Sequence, residues 1–468
     1  MSNILYRQEL GDLERWFAQR PRKPLVVRGA RQVGKSTLVR EFALRKGAPL
    51  VTIDFERNPE VRDAFRTREP ARILSTLSLL TGQTVTPGKD LLFLDEIQAA
   101  PEALAALRYF HEELPELPVV AAGSLMEFAL ADAQFSMPVG RVEYLHLGPL
   151  RFEDFVEALG HPELKAHLRN LPLDDLEGAF PEAVHDRYMD LLRQYWVVGG
   201  LPEAVSGYVQ AQRESESGFE RVARVQHSVV ATYRDDFSKY SHGTARDRLQ
   251  LTFDRLPGLV GRKFKYVQVS RDHRAADLAD ALQRLCMAQI AYKVCHTAAN
   301  GVPLEAEMND RHFKCLYLDV GLMCAALGLN VLDLSRQDLT LVNAGAVAEQ
   351  FIGQHLLHSG PSFQTPSLHY WTREARNAAA EVDYLMALGG RIVPVEIKAG
   401  TSGSLKSLHQ FLKEKGDGLA LRFNADPPSL LSDAKRLPTG ELVSYRLLSL
   451  PLYLVDQARW LLRDEALV

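Results

Sequence analysis

The hydrophobic pattern of the first 150 residues alternates between short apolar runs and amphipathic helical stretches. The apolar runs have the length of buried strands and lie at residues 25–27, 50–55, 91–94, 119–122 and 142–147. Helical spacing separates them, with helices predicted at 10–17, 35–46 and 71–80 and from Pro101 onward. Strands that alternate with helices predict a parallel sheet in a three-layer α/β domain.

The pattern changes after residue 150, and it divides the chain into four predicted domains. Residues 1–150 form the α/β domain, and 151–212 are helical up to a Gly-Gly-Leu-Pro turn at 199–202, which we interpret as a helical lid. In 213–330, helix, short strand (266–269), helix (275–288), strand (290–297) and strand (312–318) follow in the order of a winged helix.

Residues 331–468 return to an α/β pattern. We predict helices at 346–357 and 405–413, and strands at 369–371, 382–386, 392–397 and 419–423. The fold class expected from the sequence is therefore α/β, with an N-terminal three-layer core, a helical lid, a winged-helix middle and a separate small α/β domain at the C-terminus.

A glycine-bounded loop between the first strand and the next helix has the spacing of a phosphate-binding loop. Its predicted nucleotide-binding residues are Gly29, Ala30, Arg31, Gln32, Val33, Gly34, Lys35, Ser36 and Thr37. The two glycines let backbone N–H groups converge on phosphate, and the helix adds its positive N-terminal end. Lys35 is expected to reach the β/γ-phosphates and Ser36 to ligate Mg²⁺, so the expected cofactors are ATP and Mg²⁺.

Two acids end the buried strand at 91–95, where parallel sheets bind their ligands. We expect Asp95 to hold the Mg²⁺ shell and Glu96 to polarise the water that attacks the γ-phosphate. Ser124 closes the neighbouring strand, and two interpretations of it stay open: a γ-phosphate sensor and an N-cap of the next helix. Arg141, just before the last strand of the core, is the candidate arginine finger.

These motifs resemble those of AAA-type P-loop ATPases, in the bacterial and archaeal clade that carries a C-terminal domain of unknown function. The resemblance includes Ala-Gly-Ser at 122–124, Gly-Gly-Leu-Pro at 199–202 and Leu-Tyr-Leu-Asp-Val-Gly at 316–321, and it covers nearly the whole chain. It implies an ATPase core, a lid, a winged helix and a nuclease-like tail. If Arg141 matches the finger of that family, it acts on the nucleotide of a neighbouring subunit, which implies a homo-oligomer.

The tail contains a second chemical pattern. Asp383, a gap of thirteen positions, and Glu396-Ile397-Lys398 are similar to the PD-(D/E)xK nuclease superfamily, although valine replaces the proline of the first motif. Glu396 and Lys398 share one face of a strand. Asp383 and Glu396 are expected to hold Mg²⁺ or Mn²⁺, with Glu349 as an added acidic ligand and Lys398 assisting hydroxide formation.

Two functions stay open for the whole chain. In the first, ATP hydrolysis drives the binding or processing of DNA, with branched and single-stranded DNA as candidate substrates and basic contacts at 262–266 and 271–274. In the second, nucleotide binding switches the lid and winged helix, and an inactive nuclease-like tail docks a protein partner. Winged helices serve both purposes.

Composition and charge give further expectations about the partners, location and metal sites of the protein. The net charge of −4 argues against a chain coated with basic residues for bulk nucleic-acid binding. No apolar run is long enough to cross a bilayer, so we expect a cytoplasmic protein with no membrane partner. The four cysteines lie at least nine positions apart, which excludes a CxxC zinc site and indicates small core residues.

Overall fold

The computed structural model of the chain describes residues 5–124, 140–172, 175–214, 216–329, 344–373, 380–400, 405–416, 418–436 and 440–463. The chain divides into two compact units. The first contains residues 1–149 with 283–290 and 360–366, and the second contains 150–282, 291–359 and 367–468.

A five-stranded parallel sheet forms the centre of the first unit. Its strands are β1 (Leu25–Arg28), β2 (Leu50–Asp54), β3 (Leu91–Asp95), β4 (Val119–Ala122) and β5 (Glu143–His146), in the spatial order β2-β3-β4-β1-β5. Its helices are α1 (Glu9–Ala18), α2 (Lys35–Lys46), α3 (Pro70–Thr81) and α4 (Pro101–Glu113), with 3₁₀ turns at Pro59–Thr67 and Ile97–Ala99. The predicted parallel α/β core is confirmed.

The central strands of this parallel sheet are apolar on both faces. Strands β3 and β4 are buried along their whole length, and helices α3 and α4 supply Ile73, Leu77, Leu104 and Leu107 to the core beside them. Such a sheet needs helical cover on both sides. The carboxyl ends of β1, β3 and β4 consequently meet at one edge, and the phosphate loop, Asp95 and Ser124 all follow those ends.

The second unit begins with helices. They are α5 (Phe152–Ala158), α6 (Pro162–Arg169), α7 (Glu182–Val198), α8 (Pro202–Arg213), α9 (Gly218–Tyr240), α10 (Thr244–Arg255), α11 (Tyr266–Val269) and α12 (Ala275–Met287), with a 3₁₀ turn at Leu256–Leu259. The last residues of α12, from Gln283 onward, are assigned to the first unit. Later helices are α13 (Val320–Ala326), α14 (Ala344–Leu357), α15 (Lys406–Glu414) and α16 (Ala458–Leu461), with 3₁₀ turns at Leu304–Glu307 and Leu452–Leu454.

An eight-stranded mixed sheet completes the second unit. Its strands are β6 (Ala291–Thr297), β7 (Met308–Tyr317), β8 (His369–Thr372), β9 (Glu381–Leu388), β10 (Arg391–Ile397), β11 (Leu419–Asn424), β12 (Ser429–Arg436) and β13 (Leu442–Pro451). Their order is β12-β13-β11-β10-β9-β8-β6-β7. The sheet contains strands from both sides of residue 330, the predicted domain boundary. Strands of the predicted winged helix and of the predicted tail domain therefore belong to one sheet.

The predicted strand at 266–269 is wrong, because these residues form the helical turn α11. Extended pairing occurs slightly earlier: Lys263 bridges Lys314, and the Phe264 N–H donates to the carbonyl of Phe313 at 2.8 Å. The following residues coil, burying Val269 and leaving Val267 exposed. The region predicted to be a winged helix therefore lacks its first predicted strand, and its other two predicted strands pair as the antiparallel hairpin β6-β7.

Candidate functional site

The phosphate loop is shaped by its two glycines, for different reasons. A Cβ on Gly29 would lie 2.4 Å from the carbonyl oxygen of Leu147, so only glycine permits β1 and the segment after β5 to approach this closely. Gly34 has φ +92°, a conformation that side chains rarely adopt. Gln32 is also left-handed, with φ 66°. The backbone thus curls immediately before α2 begins, as the motif predicts.

Lys35 is folded back into the loop. Its Nζ donates to the carbonyl oxygens of Gly29 at 3.0 Å and Ala30 at 2.9 Å, and the residue is buried. Burial lowers the pKa of Lys35 to about 8, against the opposing effect of the Glu96 and Asp95 charges. A buried ammonium held by two neutral carbonyls has a strong electrostatic preference for an anion, so the lysine suits a phosphate ligand.

Asp95 and Ser36 meet across the sheet edge, where they share a side-chain hydrogen bond. Burial raises the pKa of Asp95, while the Ser36 hydroxyl and the backbone N–H of Glu96 oppose that shift. A carboxylate and a hydroxyl beside a phosphate loop are the donor set with which Mg²⁺ is held jointly with substrate phosphates, so the residues fit this ion.

Glu96 is positioned by its backbone and by Gln98. It has φ 50°, an uncommon conformation for a non-glycine residue, and its N–H donates to Asp95 Oδ1 at 3.1 Å. Its Oε2 accepts from Gln98 Nε2 at 2.6 Å. Gln98 was not among the predicted site residues, although it lies only two positions after Glu96.

Ser124 ends β4 at the same edge, and its buried hydroxyl has no hydrogen-bond partner within the described residues. An unpaired buried hydroxyl is costly, which favours an external acceptor such as a phosphate oxygen. The alternative N-cap role concerns residues 125–130, which lie outside the described part of the chain.

Arg141 lies at the opposite end of the strands, where β1 and β5 begin. It precedes β5, whose first residue, Glu143, pairs in parallel with Leu25 at the start of β1, whereas the phosphate loop follows the end of β1. Its Nε contacts Glu112 Oε1 at 2.8 Å, and it is partly exposed. The structure thus separates Arg141 from the loop of its own chain by the length of a strand, about 13 Å.

Arg7 is a buried contributor that sequence reasoning missed. Its guanidinium donates to the carbonyl oxygen of Val33 in the phosphate loop and, at 2.5 Å, to that of Gly148. The N-terminal segment therefore fixes one side of the loop. A single arginine before an amphipathic helix carries no recognisable signal in the sequence.

In the second unit, the structure brings the predicted tail residues together and adds two that were not predicted. Glu349 comes from α14, Asp383 from β9, and Glu396 with Lys398 from the end of β10. The additions are Glu381 and Lys314, whose Nζ lies 2.7 Å from Glu381 Oε1, 3.5 Å from Glu349 Oε2 and 3.7 Å from Asp383 Oδ1. We call these six residues the tail cluster.

The charges of the tail cluster are strongly perturbed by burial. Burial raises the pKa of Glu349, Glu396 and Asp383, and the lysines oppose these shifts. For Lys314, burial acts to lower the pKa, but the surrounding carboxylates outweigh it and raise the pKa. Lys398 Nζ lies 2.5 Å from Glu396 Oε1. The acids of the tail cluster therefore lie beside the buried ammonium of Lys314 and the partly exposed ammonium of Lys398.

The Gly-Gly-Leu-Pro and Leu-Asp-Val-Gly motifs meet in space. Asp319 is fully buried, and its carboxylate accepts from the backbone N–H groups of Gly200 at 2.7 Å and Leu322 at 3.0 Å. A Cβ on Gly199 would collide with Asp319 Oδ1 at 2.1 Å, and one on Gly321 with the backbone of Gly199 at 2.5 Å. These motifs are thus a structural junction between α7, α8 and α13.

The basic residues predicted to contact DNA are at the surface. Arg262, Lys263, Lys265, Arg271, His273 and Arg274 are exposed, whereas Phe264 is buried against Phe313 and Tyr266. Exposure is compatible with phosphate contacts, and the DNA role stays a prediction. Cys295, Cys315 and Cys324 are buried thiols outside any disulfide of the described residues, as expected for core cysteines. Among the described helices, none is long and apolar enough to span a membrane.

Comparisons with known proteins match three separate parts of the chain. Residues 21–156 match the AAA domain family, residues 189–333 match Domain of unknown function (DUF8612), and residues 344–432 match Domain of unknown function (DUF4143). No curated protein matches the chain. The descriptions of these two families of unknown function mention neither a nuclease nor a winged helix, so those interpretations remain predictions.

Several solved structures are similar to parts of the chain. The Walker-type ATPase PABY2304 of Pyrococcus abyssi is 17% identical with a TM-score of 0.44, covering 69% of this chain and 96% of its own. AMPPCP-bound DnaA from Aquifex aeolicus is 13% identical with a TM-score of 0.27, covering 59% and 86%. PCH-2 from C. elegans is 12% identical with a TM-score of 0.28, covering 47% and 70%.

The AAA match and the loop geometry agree on the same residues. The matched segment contains the glycine-shaped loop, Lys35, and the acidic end of β3. Residues 21–156 therefore form a nucleotide-binding AAA-type P-loop ATPase domain.

Proposed function

We propose that this chain hydrolyses ATP at the phosphate loop and couples its nucleotide state to the C-terminal part of the chain. The single observation that carries the proposal is the convergence of Lys35, the Ser36–Asp95 pair and Glu96 at one edge of the parallel sheet. This arrangement supplies a phosphate-binding cation, a magnesium-type donor set and a carboxylate beside them.

Each residue has a distinct role in the proposed hydrolysis. Lys35 exchanges the carbonyls of Gly29 and Ala30 for β- and γ-phosphate oxygens, which neutralises charge developing on the γ-phosphate. Ser36 and Asp95 would hold Mg²⁺, which supplies further charge neutralisation when bound. Glu96, oriented by Gln98, accepts a proton from the attacking water.

We infer that Arg141 acts between copies of the chain. Because it lies at the sheet edge opposite the loop, it is too distant to contact the nucleotide bound by its own chain. A neighbouring copy that packs its loop against this edge would receive the guanidinium, after Glu112 releases it. The active form would then be a homo-oligomer, and buried cysteines that are not in disulfides, together with the use of ATP, support a cytoplasmic location.

For the output of the ATPase, we propose DNA binding or processing through the second unit. The exposed basic residues at 262–265 and 271–274 and the assembly of Glu349, Asp383, Glu396 and Lys398 support this candidate. A second candidate is a nucleotide-dependent switch whose inactive tail docks a protein. The presence of Lys314 among the carboxylates specifically favours inactivity.

ATP turnover by the purified chain tests the proposal. We expect Mg²⁺-dependent hydrolysis that Lys35→Ala abolishes, while Lys46→Ala, a partly exposed lysine at the other end of α2, retains it. Absence of turnover in the wild type under any condition would refute the proposed hydrolysis.

The same assay, repeated with branched, single-stranded and duplex DNA, separates the two outputs. A change in turnover and direct binding by any of these DNAs supports the first candidate. If DNA neither binds nor changes turnover, the switch is favoured; Lys35→Ala should then abolish a nucleotide-dependent change in mass or shape, and Lys398→Ala should preserve it.

A further inference from the structure

We propose that the Lys314 ammonium takes the place of the divalent metal ion in the tail cluster, so that the tail binds neither Mg²⁺ nor Mn²⁺ and does not cleave DNA. This inference deepens the second candidate of the proposed function, the inactive tail, and it rests on that proposal for the role of the tail. It concerns a residue on β7, which lies outside the motif that suggested a nuclease.

The fit of a metal ion to the tail cluster can be judged from the positions of its charges. The donors are chemically suitable, because Mg²⁺ and Mn²⁺ prefer carboxylate oxygens. However, Lys314 Nζ already lies within 2.7 to 3.7 Å of oxygens from three of the acids, Glu381, Glu349 and Asp383. A cation therefore occupies the point at which these carboxylates converge.

Two further oxygens of the acids in the tail cluster are engaged by the protein, whereas Glu396 Oε2 is buried without a hydrogen-bond partner within the described residues. Asp383 Oδ2 accepts from the Ile397 N–H at 2.8 Å, and Glu396 Oε1 contacts Lys398 Nζ. An octahedral ion would need several of these oxygens at about 2.1 Å, close to two ammonium groups. Within the described residues, no group of three or more His, Cys, Asp or Glu side chains is arranged so that it could hold a metal. The cluster does not fit the metal that the nuclease resemblance implies.

Lys314 is buried too deeply to be an incidental surface contact. Only 3% of its side chain is exposed, and its Nζ lies 5.4 Å from the centre of the Tyr370 ring. A buried ammonium is stable only where opposite charges compensate it, and buried carboxylates require the same. The lysine and the acids thus stabilise one another. Lys263 provides a natural comparison, since it lies 3.9 Å from Glu381 but half of its side chain is exposed.

The test is Mn²⁺ binding to the full-length chain without nucleotide, measured by electron paramagnetic resonance. We expect the wild type and Asp383→Asn to bind Mn²⁺ identically. Lys314→Met keeps the length of the side chain and removes its charge. It should gain a site that binds Mn²⁺ at least about tenfold more tightly than the wild type does, which is the smallest effect usual for changes beside metal ligands. That site should be lost in Lys314→Met/Asp383→Asn and absent from Lys263→Met.

Each result decides the inference. Mn²⁺ binding or Mn²⁺-dependent DNA cleavage by the wild type that Asp383→Asn removes would overturn it, as would a folded Lys314→Met variant without the new site. If Lys314→Met does not fold, the comparison of wild type with Asp383→Asn still decides, and Lys314→Arg should bind Mn²⁺ as the wild type does. ATP turnover, measured in the same wild-type preparation, reports separately on the proposed function, because it depends on the phosphate loop.

Discussion

The buried carboxylate of Asp319 should make the stability of the second unit depend on pH. Burial is the main cause that raises the pKa of Asp319 from 3.8 to about 6, and backbone N–H groups of Gly200, Leu322 and Gly321 only partly oppose it. Between these pH values the folded state binds more protons than the unfolded state. The free energy of unfolding therefore falls as the pH rises through this window.

The size of the effect follows from the shift. Two pKa units correspond to about 3 kcal/mol once the pH exceeds both values. Between about pH 4.5 and about pH 7.5, the titration of Asp319 lowers the free energy of unfolding by about 2 kcal/mol. Asp319→Asn removes the titration while retaining one carbonyl oxygen as an acceptor. The free energy of unfolding of the wild type minus that of Asp319→Asn should therefore be about 2 kcal/mol larger at the lower pH.

Urea unfolding of both proteins at both pH values measures this difference, followed by the fluorescence of Trp196, which is buried near the end of α7. Hydrogen exchange in peptides covering 195–205 and 315–325 localises it to the junction. Asp310→Asn, at an exposed position of β7, is the matched control, and it should differ from the wild type by less than about 0.5 kcal/mol. A difference for Asp319→Asn that is constant with pH, or that grows at the higher pH, would refute the reasoning.

Three further predictions concern the first unit. Gly29→Ala should lower ATP affinity by about tenfold or more, measured with a fluorescent ATP analogue, because its Cβ would collide with the carbonyl of Leu147; Gly11→Ala, with no contact closer than 3.6 Å, should bind normally. Ser124→Ala should reduce turnover more than ATP affinity, and an equal loss of both would argue against a sensing role. Arg141→Ala should reduce turnover with little change in affinity, and adding Lys35→Ala chains to it should restore activity; failure to complement would contradict action between subunits.

The first unit was largely predictable because local and global signals agree there. The apolar runs of β1, β3 and β4 are buried on both faces, so their length and composition mark them as central strands. The spacing between Gly29 and Ser36 reflects backbone requirements that few other sequences meet. Gln98 and Arg7 were missed because their contributions depend on the tertiary positions of Glu96 and Val33.

The second unit was less predictable because its pairing is long-range. Strand β12 is exposed along most of its length and has no alternation, and together with β13 it escaped prediction. The motif that suggested a nuclease did identify residues that come together. Lys314 comes from β7, outside that motif, and no pattern in the sequence connects it to Asp383. A site inferred from spacing alone therefore omitted the cation at its centre.

The central claim, hydrolysis of ATP at the phosphate loop, is tested most directly by the fate of bound ATP in Glu96→Gln. This variant keeps the shape of the side chain and removes the base, whereas Glu116→Gln at an exposed position serves as the control. After a single turnover with Mg²⁺ and acid quenching, the wild type and the control should yield ADP, and Glu96→Gln should retain bound ATP. Conversion of ATP by Glu96→Gln at the wild-type rate would contradict the account.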